Sequence, residues 1–81
     1  MNYISVLIKA LEIEKTNVNQ IKKNFKSIIS VLNEAVCENE EEEVMISEHK
    51  EMVDKKIESS NSYIKAIEKK INDLRLKQLE G

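Results

Sequence analysis

The sequence predicts an all-α protein, an antiparallel hairpin of two long helices. Three observations carry this. Proline is absent and the only glycine is Gly81, the last residue, whereas β and α/β domains call on both residues for their turns. Apolar residues recur at helical spacing through two stretches of about 36 residues each. Between these stretches lies Glu38-Asn39-Glu40-Glu41-Glu42-Glu43, a polar, solvated bend at the midpoint of the 81 residues. The predicted arms cover residues 2–37 and 40–79, with an acidic turn over 38–41.

In the first arm, residues seven apart read Ile4, Leu11, Val18, Phe25 and Leu32. The companion row reads Leu7, Glu14, Ile21, Ile28 and Ala35, so nine of the ten seam positions are apolar. Further apolar residues flank this seam: Ile8, Ile29 and Val36 on one side, Val6, Ile13 and Val31 elsewhere. A two-stranded coil buries only a narrow stripe, so the wider one implies contact with more than one helix. Asn17 with Gln20 forms a cap-like pair that marks a possible break after Thr16.

The second arm reads Ile46, Val53, Ser60, Ile67 and Leu74 in one row, and Lys50, Ile57, Ile64, Ile71 and Gln78 in the other. Lys55, Glu58, Lys65, Glu68, Lys69, Asn72 and Asp73 make its solvated outer face. Ser60 is a small polar gap in the seam, expected to bond back to its own helix. Asn39 followed by Glu42 predicts a capping box at the arm's start. Glutamates in a first turn also face the positive end of the helix dipole.

One rival is a single continuous helix of about 120 Å, at 1.5 Å per residue, since the row from Ile4 continues in phase through Asn39 to Ile46. That helix would bury Asn39 and Glu42 or Glu43 in a seam, and its adjacent glutamates repel one another. The hairpin avoids both. Folding one arm on the other pairs Leu11 with Ile67, Val18 with Ser60 and Phe25 with Val53. It leaves Tyr3, Val6, Ile8, Ile13 and Ile29 partly wet, an expected oligomer interface through which two hairpins would pair into a four-helix bundle.

The composition restricts function. Apolar residues make up 41% and charged residues 35%, the balance of an exposed helical protein rather than a disordered one. The longest apolar run is Val6 to Ile8, too short to span a bilayer, and no basic-then-apolar leader follows Met1. A lone cysteine, Cys37, fits a reducing, cytoplasmic compartment. Twelve lysines against the single Arg75, with eleven isoleucines, suggest an AT-rich genome, that of a low-GC bacterium or its phages.

No motif for catalysis stands out. There is no Gly-rich phosphate loop and no Gly-x-Ser-x-Gly, and His49 has no nucleophile at a recognisable spacing. A partly buried, hydrogen-bonded histidine is the expectation there. Cys37 is read as a packed thiol, since nearby glutamates disfavour a thiolate. Adjacent glutamates on a helix diverge, and Ile46 occupies the place three before His49 where a di-iron bundle needs Glu, so no metal or cofactor is expected. Nor is a small-molecule substrate or a membrane surface. Lys22, Lys23 and Lys26, with Lys65, Lys69 and Lys70, form a solvated face; an aromatic stacking set for nucleic acid is lacking.

Charge is strongly segregated. Residues 34–51 carry eight acids against one lysine, while residues 1–33 carry five lysines against two acids. The expected function is a small non-enzymatic protein-interaction module, a homodimer in this reading because a lone hairpin leaves apolar residues wet. Its acidic tip, Glu38, Glu40, Glu41, Glu42, Glu43, Glu48 and Glu51, would engage a basic partner surface. In shape alone the pattern resembles helical-hairpin chaperones of bacterial export systems and single-domain phage inhibitors of host factors. The Trp-Gly turn of small type VII secretion substrates is absent.

Overall fold

The computed structural model describes residues 2 to 80 and contains two helices, α1 (Tyr3–Leu32) and α2 (Glu40–Glu80), packed as an antiparallel hairpin. Its longest dimension is 64 Å. A helix of 41 residues is about 61 Å long at 1.5 Å per residue, so α2 alone accounts for that length. The single continuous helix is thereby excluded.

The helices begin where side chains can cap them. At α1 the Asn2 side chain accepts a hydrogen bond from the Ser5 N–H at 2.9 Å. At α2 the Asn39 Oδ1 accepts from the Glu42 N–H at 2.9 Å, and the Asn39 amide donates to the Glu42 carboxylate at 2.8 Å. The capping box is therefore a variant: Glu42 reaches back to the cap residue's side chain. Replacing Asn39 with alanine should cost about 1 kcal/mol, read as a lower urea midpoint with an unchanged slope.

The arms are unequal, which corrects the sequence reading. α1 has 30 residues and stops at Leu32, and the predicted arm residues 33–37 belong to the connection. The last turn tightens, with Glu34 N–H on the Val31 carbonyl at 3.0 Å and Ala35 N–H on Leu32 at 3.2 Å. The reason lies in the register. Ser5 meets Gln78 at one end of the hairpin, so the surplus length of α2 overhangs at the other, by about 16 Å. The connection, residues 33–39, must bridge that gap; extended chain covers roughly 3.3 Å per residue and helix only 1.5 Å.

No break occurs after Thr16. Its hydroxyl donates to the Glu12 carbonyl at 3.1 Å, and Gln20 bonds Asn24 within the same continuous helix. Ser27 and Ser30 likewise bond back to Lys23 and Lys26.

Both predicted rows of α2 face the seam. Val53, Ile64, Ile67 and Ile71 are buried, and Ser60 is buried with its hydroxyl on the Lys56 carbonyl at 2.9 Å. Leu11 shares a cleft with Ile67, and Val18 with Ser60. Phe25 lines the same groove, beside Ser59 and Ser60. In α1 only the row from Ile4 to Leu32 is half-buried as expected; its companion is the row of Ile8, Lys15, Lys22 and Ile29. Leu7, Ile21 and Ile28, predicted in the seam, are exposed. The helix has apolar residues on both sides of the Ile4 row, and apolar periodicity alone does not select between them.

Candidate functional site

The overhang of α2 makes an acidic prong. Glu40, Glu41, Glu42 and Glu43 form the first turn, directly after Glu38 and the cap residue Asn39. Glu38, Glu40, Glu41, Glu43, Glu48 and Glu51 are all exposed, whereas Glu42 is half-buried. Glu42 is thus committed to the cap, and that separates it from the other predicted binding residues. Glu51 lies 3.8 Å from Lys55, an i to i+4 pair in open solvent that contributes a few tenths of a kcal/mol.

The prong carries a field with little geometry. Successive side chains on a helix point 100° apart, so the four first-turn carboxylates fan outward. Among the described residues, no three His, Cys, Asp or Glu side chains converge as a metal site would require. His49 is exposed, which corrects the expectation of a partly buried side chain: it sits near the level where α1 ends. Cys37 is a free, half-buried thiol in the connection.

Below the prong the hairpin has two unlike flanks. On one, Arg75 pairs with Glu12 at 2.7 Å, Lys15 with Glu68 at 3.1 Å, and Gln78 donates to Ser5 at 3.2 Å. Exposed pairs of this kind contribute about 0–1 kcal/mol each, so they set register more than stability. The cleft along this flank is lined by those same paired charges with Asn19 and Asn72. Thr16 also lines it, with its hydroxyl committed to the Glu12 carbonyl of its own helix.

On the other flank, the Tyr63 hydroxyl donates to the Glu14 carboxylate, and the Lys77 ammonium lies 6.0 Å from the Tyr3 ring centre. A shallow, largely apolar groove runs between Val18, Ile21, Phe25, Ser59, Ser60 and Tyr63. The bond to Glu14, then its negative charge, then slight burial hold the Tyr63 hydroxyl above its ordinary range. The folded state therefore keeps that proton more tightly than the unfolded chain. The contact's stabilisation is present below the ordinary tyrosine range and is lost as pH climbs through the raised folded value. Following phenolate absorbance against pH should reveal one high-titrating tyrosine, which Glu14→Gln lowers and Tyr63→Phe removes.

Of the predicted interface residues, Tyr3, Val6 and Ile13 are exposed on α1. Ile8 and Ile29 are half-buried in the row that turns toward α2, and are less available than Leu7, Ile21 and Ile28. The two lysine clusters do not merge. The antiparallel register sets Lys22–Lys26 and Lys65–Lys70 roughly 15 Å apart along the axis, about ten residues of helix, and Lys22 is half-buried. No helix among the described residues is long and apolar enough to cross a membrane.

No protein-family model matches this chain, and neither the curated proteins nor the solved structures give a significant match. The functional argument therefore rests on the surfaces themselves.

Proposed function

We propose that this chain is a non-enzymatic protein-interaction module that acts by stoichiometric binding. Its acidic prong engages a basic surface on a protein partner, in the manner of a phage or mobile-element inhibitor of a host factor. The observation that carries this reading is the overhang. The folded body would be complete with a shorter α2, yet the sequence extends the helix past α1 and loads the extension with exposed carboxylates. Such a field raises association rates with a basic surface and selects against acidic ones.

The test uses Glu40→Gln, Glu41→Gln and Glu43→Gln together, sparing Glu42 and its cap. With helicity unchanged by circular dichroism, affinity for the partner captured by the tagged wild-type chain should fall at least ~10-fold. Its salt dependence should flatten as well. Unchanged affinity would remove the prong from the mechanism.

A second reading is a helical-hairpin chaperone or structural subunit that binds a foreign protein through an apolar face. The exposure of Leu7, Ile21 and Ile28 favours it. Serine at these positions would then abolish the complex while the prong variant left it intact. Nucleic-acid binding through the lysine faces is the weakest reading, since the clusters are separate and the chain's net charge is −2.

A further inference from the structure

The charge distribution around α1 sorts its surface sharply. Its seven charged residues are Lys9, Glu12, Glu14, Lys15, Lys22, Lys23 and Lys26. Glu14 lies on the opposite flank, where its carboxylate accepts from Tyr63 of α2, and the other six lie toward α2 or on the ion-paired flank and the back beside it. The remaining outer face consists of three heptad rows, starting at Tyr3, Val6 and Leu7 and running to Val31, Ser27 and Ile28. Glu14 is the one charge on it, in a chain that is 35% charged. Depletion of charge is the compositional mark of an interface core, and a merely solvated helix face has no cause to show it.

The face is also exposed. Tyr3 is 61% accessible, Val6 50%, Ile13 56%, Ile21 47% and Val31 64%. Accessible area makes the same point for the whole chain. A folded monomer of 9.4 kDa has about 5,000 Å² of accessible surface, and this one has 6394 Å². That surplus of about 1,400 Å² belongs to the elongated hairpin as a whole, overhang included, and it leaves room for the roughly 800 Å² that one partner contributes to a standard stable interface.

We propose that this face of α1 is covered by α1 of a second copy of the chain, packed antiparallel about a two-fold axis at Asn17. The sequence is self-complementary about that residue. Tyr3 falls opposite Val31 of the second copy, Val6 opposite Ile28, and Ile13 opposite Ile21. Asn17 meets its own copy on the axis, and Gln20 falls opposite Glu14, whose carboxylate Tyr63 of its own chain holds at the edge of the face. Only Leu7 with Ser27 and Ala10 with Asn24 are mixed pairs. Apolar pairs thus close both ends, while amides and one carboxylate occupy the centre, where a polar residue fixes register at some loss of stability. Each contact occurs twice, as an isologous interface requires.

Charge selects antiparallel over parallel pairing. A parallel pair would set Glu14 against its own copy. It would also bring two acidic prongs together, each with eight acids against one lysine over residues 34–51. The antiparallel dimer sends the prongs to opposite ends, leaving α1 central and the charged outer face of α2 in water. This inference does not rest on what the prong binds.

The experiment is sedimentation equilibrium of the full chain across a concentration series, with helicity checked by circular dichroism. Wild type should sediment as a dimer. Ile13→Lys alone, or Ile21→Glu alone, should weaken the dimer at least ~100-fold while remaining helical, because each buries an unpaired charge twice per dimer. The two together in one chain should restore it, since each lysine then faces a glutamate of the other copy; Ile13→Lys with Ile21→Lys should not. A monomeric wild type would overturn the proposal in favour of a foreign protein on this face. A dimer indifferent to the single substitutions would overturn it as well, and failure of the paired variant to recover would overturn the antiparallel register.

Discussion

Ile67→Ala should cost this chain about 3 kcal/mol, within the 2–5 kcal/mol range for truncating a buried isoleucine. Ile67 is only 5% accessible and lies at mid-seam, in the cleft it shares with Leu11. The core around it is thin. Among the described residues, Val53, Ile64, Ile67 and Ile71 are the buried apolar ones, and none has a fully buried side chain. A chain of this length has about 5 kcal/mol or less of stability from a single core, so losing 3 kcal/mol removes most of it. Urea unfolding followed by circular dichroism should show the midpoint collapse. The contrast is Ile21→Ala, on the exposed row, which should change monomer stability by less than ~0.5 kcal/mol. Similar costs at both positions would mean that the wrong row of α1 has been assigned to the seam.

The opposite sign is expected at Ser60. Its hydroxyl is satisfied by the Lys56 carbonyl of its own helix, so nothing across the seam needs it. Above it lies the apolar groove lined by Val18, Phe25 and Tyr63, with room for a longer side chain. Ser60→Leu should fill that space and stabilise the hairpin by about 1–2 kcal/mol, somewhat less than full leucine burial yields because the groove is open on one side. Leucine also favours the helix slightly over serine. Measured at concentrations where the chain is monomeric, the midpoint should rise. A fall would show that the seam is closed at this point and that the substitution overpacks it.

These two positions also show what was legible in the sequence. The absence of breakers and the acidic midpoint identify a helical hairpin, and both rows of α2 are read correctly from Ile46 to Ile71. There the alternative faces are charged, so periodicity leaves one choice. α1 is different. Apolar residues flank the Ile4 row on both sides, and the better-populated side, with Leu7, Ile21 and Ile28, is the one left exposed. The less hydrophobic row with Lys15 and Lys22 turns inward, and the lysine stem can cover apolar surface while Lys15 reaches Glu68 at 3.1 Å. Charge, counted row by row, separates the faces where hydrophobicity does not.

The overhang was illegible for a related reason. Residues 33–37 continue the heptad through Ala35 and carry no glycine, so local pattern extends α1 past its true end at Leu32. The seam's register decides the matter, by fixing Ser5 against Gln78 and leaving α2 longer at the far end. Tertiary geometry of that kind has no local signature. The cap at Asn39 was visible, though the engagement of Glu42 with the Asn39 side chain is a structural detail.

The molecule divides its surface by chemistry: a thin apolar seam between the helices, a charge-poor outer face on α1, and an acidic prong on α2 with no helix beside it. Amide hydrogen exchange of the isolated protein, resolved by residue, tests this division most directly. Protection should be greatest from Val53 to Ile71 and fall sharply through residues 40–48, which are helical but have no helix beside them. Protection of residues 40–48 equal to that of the Val53–Ile71 segment would mean the prong is packed, and would contradict the account.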